Sequence, residues 1–174
     1  MKSILLVYKS KTGFTKKYAR WISDELNCHA LPLETADISE VSKYDIVIFG
    51  GGIHASKING IRFITNNLEA LKNTQLIIFA TGATPISAAE KVSQFKEINI
   101  PIELNIPFFY FQSGMNYKDM GLSDKMLMNV LKLVLKTKKN KDKIEIGTME
   151  AINNSYDNSS RKEIKPLLDY LRTI

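Results

Sequence analysis

The segment Ser3–Leu26, with the sequence SILLVYKSKTGFTKKYARWISDEL, decides the fold class of this chain. It opens with a nearly continuous apolar run, Ser3–Tyr8, which is typical of a short strand buried on both faces of a parallel sheet. A loop rich in hydroxyl side chains follows, and Thr15–Leu26 then carries apolar residues at helical spacing. The segment therefore predicts a strand, a loop and a helix, the first half of a parallel β-α-β unit.

The same alternation continues along the rest of the chain. Four further strands are predicted, at 29–33, 44–49, 75–81 and 107–112. Four further helices are predicted, at 61–71, 85–96, 123–139 and 160–174. Five strands alternating with helices predict an α/β fold, a three-layer sandwich with helices on both faces of a parallel sheet. The 174 residues are enough for one domain, 1–174, and too few for two with separate cores.

The net charge of +6 is distributed unevenly along the chain. Residues 1–20 carry six bases and no acid, and residues 118–143 carry eight bases against three acids. Basic blocks are a first sign of nucleic-acid binding, but these blocks contain no helix-turn-helix, zinc or aromatic RNA-binding signature. We therefore expect no nucleic-acid partner.

The cysteine, histidine and hydropathy patterns exclude several classes of protein. One cysteine, Cys28, cannot form an internal disulfide, and two histidines provide no cluster at metal-ligand spacing. The uncharged stretch Leu104–Tyr117 contains a proline and a glycine and does not fit a transmembrane helix. The apolar run Ile4–Val7 is too short for a secretory signal. We expect a cytoplasmic protein with Cys28 as a small hydrophobic residue and no metal.

The loop between the first strand and the first helix has the composition of a phosphate site. In a parallel sheet of this kind, ligands bind at the carboxyl ends of the strands. Ser10, Thr12 and Thr15 offer three hydroxyls just before a helix start, whose free N–H groups attract an anion, and Gly13 allows close backbone approach. The alternative is an ordinary capped turn, with Ser10 or Thr15 as the cap.

This first segment resembles the flavodoxin signature. The matching residues are those of the pattern Leu6-Val7-Tyr8-x-Ser10-x-x-Gly13-x-Thr15-x-x-x-Ala19-x-x-Ile22. The resemblance implies a flavodoxin-like sheet with strand order 2-1-3-4-5 and FMN at the strand ends. It implies a phosphate site formed by Ser10, Lys11, Thr12, Gly13, Phe14 and Thr15. It implies ring contacts from Gly52, Ile53, His54 and Ala55 after the third strand, and from Thr81, Gly82 and Ala83 after the fourth.

A later segment resembles menaquinone-dependent protoporphyrinogen dehydrogenases, a flavodoxin-like branch. The matching stretch is 112–117, QSGMNY, leading into 124–126, DKM. The resemblance implies an inserted loop and helix at about 114–143, and adds Gly114 and Tyr117 to the cofactor-binding set. Because the two ring loops offer no aromatic side chain other than His54, Tyr117 is the candidate for stacking on the flavin.

These resemblances predict an FMN-dependent oxidoreductase that passes electrons from a donor to a small apolar acceptor such as a quinone or porphyrinogen. The alternative is an electron carrier that docks on protein partners. Carrier flavodoxins are typically acidic, whereas Lys9, Lys11 and Lys57 are expected near the FMN here, so we expect a less negative potential. No catalytic residue is predicted. His54 either contacts the flavin, or donates a proton to it, or faces solvent.

Two further patterns have alternative interpretations. Gly50-x-Gly52-x-x-Ala55 fits a dinucleotide fingerprint, but it follows the third strand rather than the first, which disfavours NAD.

In the helix predicted from Ser123, eight of the ten residues 126–135 are apolar, and five lysines follow by residue 143. The helix is either buried against the fifth strand, with a solvated lysine tail, or it forms, with the loop Gly114–Gly121, a lid beside the flavin where an apolar acceptor enters. As a lid it is able to rest on anionic lipid at the inner face of the membrane.

Overall fold

A computed structural model of the chain describes residues 2–141, 145–147, 149 and 155–174. The strands are β1 Ile4–Lys9, β2 His29–Pro32, β3 Ile46–His54, β4 Lys57–Ile58, β5 Gln75–Gly82 and β6 Phe108–Gln112. The helices are α1 Phe14–Leu26, α2 Ile38–Val41, α3 Arg62–Thr65, α4 Ala89–Asn99, α5 Leu122–Thr137 and α6 Lys165–Leu171. Short 3-10 turns lie at Leu33–Thr35, Ile102–Leu104 and Arg161–Ile164.

Five strands pair in parallel in the order β2-β1-β3-β5-β6, and helices cover both faces of the sheet. The fold class is confirmed as flavodoxin-like α/β. The predicted order 2-1-3-4-5 holds for these five strands. The structure adds β4, a two-residue strand that pairs antiparallel with the end of β3. The strands predicted as the fourth and fifth are therefore β5 and β6. The sequence did not predict β4, because β4 forms a hairpin with an extension of β3 that carries three glycines and gives no separate apolar signal.

Side chains alternate between two apolar cores, one on each face of the sheet. Leu5 and Val7 of β1 belong to one core, and Leu6 between them belongs to the other. Because both faces are buried, the central strands appear in the sequence as unbroken apolar runs. Cys28 packs beside the second core, and burial raises the pKa of its thiol to about 11. It behaves as a small hydrophobic residue, as predicted.

The predicted helix at 61–71 was wrong in extent. Only α3, four residues long, is α-helical, and turns carry the chain on to the buried Leu71. The Asn67 side-chain amide donates to the Phe63 carbonyl at 2.8 Å. Bonds of this type compete with the helical backbone, and they explain why apolar spacing alone overestimated the helix. The helix predicted at 85–96 likewise begins later, at Ala89, and runs on to Asn99.

Helix α5 lies outside the two cores over most of its surface. Leu135 is its one buried residue among those described, whereas Leu122 is 88% exposed and Met126 is 71% exposed. Burial of this helix against the fifth strand is therefore excluded. It ends at Thr137, two residues before the predicted Lys139, and residues 142–143 of the predicted insert lie outside the described residues. No described helix is long and apolar enough to cross a membrane.

Candidate functional site

A cavity of about 390 Å³ opens at the carboxyl ends of β1, β3, β5 and β6. The loops that follow these four strands form its floor and sides, and α5 lies over it. This is the position at which open parallel sheets bind their ligands. The volume lies in the range of cofactor and small-molecule sites.

The loop between β1 and α1 contains hydrogen-bond donors that have no partner among the described residues. Helix α1 begins at Phe14 after Gly13, which has a φ of 91°, and no side chain of the described residues caps it. The Ser10 Oγ is buried and has no hydrogen-bond partner among the described residues. An uncapped helix N-terminus beside an unpaired buried hydroxyl offers several donors to one negatively charged group. The capped-turn alternative is excluded, because neither Ser10 nor Thr15 acts as the cap.

Two buried hydroxyls join this loop to the end of β5. Thr15 Oγ1 and Thr81 Oγ1 are 2.8 Å apart and each residue is almost fully buried. A Cβ added at Gly52, between them, would lie 3.3 Å from Thr15 Oγ1, a distance that leaves little room for a side chain. Since one of the two hydroxyls must donate to the other, at most one of them has its proton available for a ligand.

The loop after β5 is fixed from below by Tyr110. Its hydroxyl donates to the Thr84 carbonyl at 2.8 Å, and burial raises the pKa of the phenol, which therefore stays protonated as a donor. A Cβ at Gly82, the last residue of β5, would lie 2.8 Å from this hydroxyl, so a larger residue there would displace the Tyr110 side chain. The chain of Thr81, Gly82 and Ala83 thereby follows one side of the cavity.

The hairpin formed by the end of β3 and β4 makes the opposite side. Ile53, His54 and Ala55 line the cavity, and Asn59 follows them. Ala55 has a φ of 46° and the next residue, Ser56, a φ of 64°. Two consecutive positive φ values are typical of the tight turns that join twisted antiparallel strands.

The roof of the cavity is apolar and comes from the segment after β6. Gly114 packs on the C-terminal part of the chain, because a Cβ there would lie 1.8 Å from the Tyr156 carbonyl oxygen. Met115 exchanges backbone hydrogen bonds with Tyr156 at 3.0 Å in both directions. The apolar side chains that face the cavity are Met115, Met120, Leu127, Met128 and Leu131.

Asp124 connects α5 to the two sides of the cavity. Its carboxylate lies 3.0 Å from His54 Nε2 and 3.4 Å from Lys11 Nζ, and its side chain is 16% exposed. The residue stands in the first turn of α5, where the helix dipole favours a negative charge. One carboxylate thus links the phosphate loop, the hairpin and the roof.

The lysines expected around the flavin are largely engaged. Lys9 pairs with Glu34 at 2.5 Å, which lowers the pKa of that carboxyl, and Lys11 pairs with Asp124. Lys57 Nζ donates to the Ile98 carbonyl at 3.5 Å. Paired charges generate a weaker field at a distance than free ones, and this reduces the positive potential expected from the sequence.

Most of the predicted site residues lie together at this cavity. Those lining it are Lys11, Thr12, Phe14, Thr15, Gly52, Ile53, His54, Ala55, Thr81, Gly82, Ala83 and Gly114. Ser10 and Gly13 belong to the phosphate loop but are not among the lining residues. Tyr117 is not a lining residue either, since its hydroxyl lies 3.4 Å from Asn129 Oδ1 and its ring is 5.9 Å from Lys125 Nζ.

The sequence analysis offered α5 as a lid, but it did not name nine of the lining residues. The missed lining residues are Asn59, Ser113, Met115, Asn116, Met120, Asp124, Leu127, Met128 and Leu131. The residues on α5 could have been found from their spacing, because positions 124, 127, 128 and 131 share one helical face. Within the described ranges, no three histidine, cysteine or carboxylate residues form a metal site.

Residues 5–143 match the family described as "Flavodoxin domain", and the chain belongs to the flavodoxin family. Its cofactor is FMN. The phosphate loop fits this cofactor, because a terminal phosphate supplies the acceptor oxygens that the buried Ser10 hydroxyl and the uncapped N-terminus of α1 lack. No curated protein matches the sequence.

Solved structures with a similar fold include three flavoproteins or oxidoreductases. A flavoprotein in complex with FMN from Lactobacillus acidophilus NCFM is 20% identical, with 64% of this chain and 93% of that chain covered and a TM-score of 0.42. A flavodoxin from the domain Archaea is 19% identical, with 53% and 74% covered and a TM-score of 0.39. The rubredoxin oxygen:oxidoreductase of Desulfovibrio gigas is 12% identical, with 98% and 37% covered and a TM-score of 0.43. At these sequence identities and TM-scores, the structural similarities support no conclusion about the chemistry of this protein.

Proposed function

We propose that this protein is an FMN-dependent oxidoreductase that passes electrons from a donor to a small apolar organic acceptor of the quinone or porphyrinogen type. The observation that carries the proposal is the roof of the cavity. Five methionine and leucine side chains face the cofactor cavity from the segment after β6. An apolar surface of this kind favours a flat, apolar molecule over water or a charged substrate.

In this proposal the cavity holds the cofactor by its two ends. The phosphate is held by the loop of Ser10, Lys11, Thr12, Gly13, Phe14 and Thr15. The ring is held between the hairpin residues Gly52, Ile53, His54 and Ala55 and the β5 residues Thr81, Gly82 and Ala83, with Gly114 closing the side towards α5. FMN supplies the two-electron chemistry when bound, so the protein needs only to bind, orient and exclude water.

His54 is proposed to handle the proton that accompanies the electrons. It lines the cavity, and its Nε2 lies 3.0 Å from the Asp124 carboxylate, which can accept a hydrogen bond from it. A carboxylate on one ring nitrogen fixes the orientation of an imidazole and leaves the other nitrogen to exchange a proton. Asp124, which lies on α5 in the roof, therefore acts as a positioning residue for His54.

The outer face of α5 is proposed to make a peripheral contact with an anionic membrane. Its exposed apolar residues include Met126, Val130, Leu133 and Val134, at 52% exposure or more. Lysines follow this stripe towards the end of the helix. An apolar stripe beside a basic cluster matches an interfacial helix, and the hydrocarbon region is where quinones dissolve. The protein would then act at the cytoplasmic face of the membrane.

The acceptor proposal is tested by replacing one leucine of the roof. Leu131→Asn places an amide in the cavity, and Leu133→Asn, on an exposed part of the same helix, is the matched control. With the photoreduced protein and a water-soluble quinone, we expect Leu131→Asn to raise KM about tenfold, because a polar group in an apolar site costs more than about 1 kcal/mol. The control should keep the wild-type KM.

The alternative function is that of an electron carrier for protein partners. The paired lysines favour it, since their field at the flavin is weaker than the sequence indicated. Reoxidation of the reduced protein by a redox protein but by no quinone or porphyrinogen would establish the carrier and overturn the proposal. A KM unchanged in Leu131→Asn would place the acceptor outside the roof.

A further inference from the structure

The turn between β3 and β4 has a backbone conformation that its own residues disfavour. Ala55 and Ser56 both have positive φ, a region that residues with a Cβ rarely adopt. Turns of this type normally carry Asn-Gly or Gly-Gly at these two positions. An outside group must therefore hold the turn, because its sequence does not favour it.

Asn99, the last residue of α4, supplies that group. Asn99 is only 7% exposed, and its side-chain amide is hydrogen-bonded to three backbone groups. Nδ2 donates to the Ser56 carbonyl at 2.8 Å and to the Phe95 carbonyl at 2.7 Å. Oδ1 accepts from the Ile58 N–H at 2.9 Å. The amide thus ties the turn residue Ser56 and the strand β4 to the end of a helix.

Asn99 does not itself line the cavity, whereas the hairpin it holds does. Ile53, His54 and Ala55 line it on one side of the turn, and Asn59 lines it after β4. The strand β4 has only two residue pairs with β3, at Ile58 and Lys57. So short a ladder cannot by itself fix the position of the turn. Two hydrogen bonds of Asn99, to the Ser56 carbonyl and from the Ile58 N–H, complete it, and the third orients the amide within α4.

We propose that Asn99 is a positioning residue that sets the affinity of this protein for the flavin ring, acting through the hairpin and without touching the cofactor. The inference rests on the proposed placement of the ring beside the hairpin. In this proposal, different residues determine the affinity of the site for the two parts of the cofactor. The loop after β1 determines affinity for the phosphate, and Asn99 determines affinity for the ring.

The test compares FMN with riboflavin, which has the same ring and no phosphate. In Asn99→Ala the dissociation constants of both flavins should rise by the same factor, about tenfold, because a flexible hairpin must be ordered on binding. The ratio of the two constants should equal that of the wild type. A variant that merely lowered thermal stability would leave both constants unchanged below its melting range.

Two further variants sharpen the test. Ser56→Gly removes the cost of positive φ at the turn, so adding it to Asn99→Ala should restore most of the lost affinity for both flavins. Asn67→Ala is the matched control, because Asn67 also donates to the carbonyl of a phenylalanine four residues earlier, at 2.8 Å. It should leave both constants unchanged.

Each outcome decides the inference. If Asn99→Ala does not fold, Asn99→Asp is measured instead, since it retains the acceptor for the Ile58 N–H and loses both donors. Unchanged constants, or a loss confined to FMN, in the variant that folds would overturn the role of Asn99. Failure of the wild-type protein to bind either flavin would instead overturn the proposed function, so the two failures are distinguishable.

Discussion

Ser10 shows how much one side chain reveals about a binding site. Its hydroxyl is buried and has no partner among the described residues. Burial of an unsatisfied polar group costs free energy, and such groups are rare in native proteins unless a ligand completes them. The neighbouring N-terminus of α1 has no side-chain cap, so its N–H groups also remain available for an anion.

We therefore expect Ser10→Ala to weaken binding of FMN and not of riboflavin. A hydrogen bond to a charged group contributes about 1.5–3 kcal/mol, so the affinity for FMN should fall at least about tenfold. Flavin fluorescence during titration of the apoprotein measures both constants. Ser23→Ala is the control, because that hydroxyl bonds the Arg20 carbonyl within α1. An equal loss for the two flavins would place Ser10 away from the phosphate.

Helix α5 acts as an element with two different faces. Residues 124, 127, 128 and 131 line the cavity, and residues 126, 130, 133 and 134 are exposed on other sides of the helix. Asp124 holds the first turn of the helix against the hairpin and the phosphate loop. The site thereby explains the inner face, and the proposed membrane contact would account for the outer apolar face and the lysines beyond it.

The proposed membrane contact predicts a salt-sensitive association with anionic vesicles. The change is Lys136, Lys138, Lys139 and Lys141 together to Gln. Each lysine near an anionic surface contributes about 1 kcal/mol, so the quadruple variant should cosediment at least about tenfold less at low salt. The same charge change at the exposed Lys43, Lys72, Lys91 and Lys96 is the control and should have a smaller effect.

Absence of vesicle binding by the wild type at low salt would contradict the membrane contact. Equal binding by the quadruple variant and the control would do so as well. In either case the lysines serve solubility, and the exposed apolar face of α5 needs another explanation.

At the scale of the whole molecule, Tyr18 joins parts of the chain that are far apart in sequence. Its side chain is fully buried, and its hydroxyl lies 2.5 Å from the Gln112 carbonyl and 2.8 Å from Glu163 Oε2. It also accepts from the Ser160 N–H at 3.1 Å. Burial raises the pKa of this phenol, so it stays protonated and able to donate. One residue of α1 thus fixes both the end of β6 and the C-terminal segment.

We expect Tyr18→Phe to lower the free energy of unfolding by about 1–3 kcal/mol, because it leaves buried backbone groups unpaired. At this chain length each kcal/mol lowers Tm by about 2–4 °C. Calorimetry or circular dichroism measures the change. Tyr170→Phe, which retains the ring contact with Phe109, is the control. A Tm equal to that of the wild type would show that the hydroxyl contributes nothing to stability.

Local patterns in the sequence were sufficient to predict the sheet and the loop between β1 and α1. The strand, loop and helix of residues 3–26 are contiguous, so their chemistry is contained in one stretch of chain. The apolar runs of the central strands directly report burial on both faces of the sheet. The four-residue α3 was overestimated because the Asn67 side chain competes for the backbone, an effect that apolar spacing does not show.

The sequence alone was enough to predict the fold class, the flavodoxin family and the loops that line one side of the cavity. The remaining lining residues became evident only from the folded chain. Lys11, His54 and Asp124 meet although they lie far apart in the chain, and Asn99 reaches a turn more than 40 residues earlier. The apolar spacing of α5 shows that the helix has faces but not which one covers the cavity. That choice depends on contacts between distant segments, and these exist only once the sheet has brought the segments together.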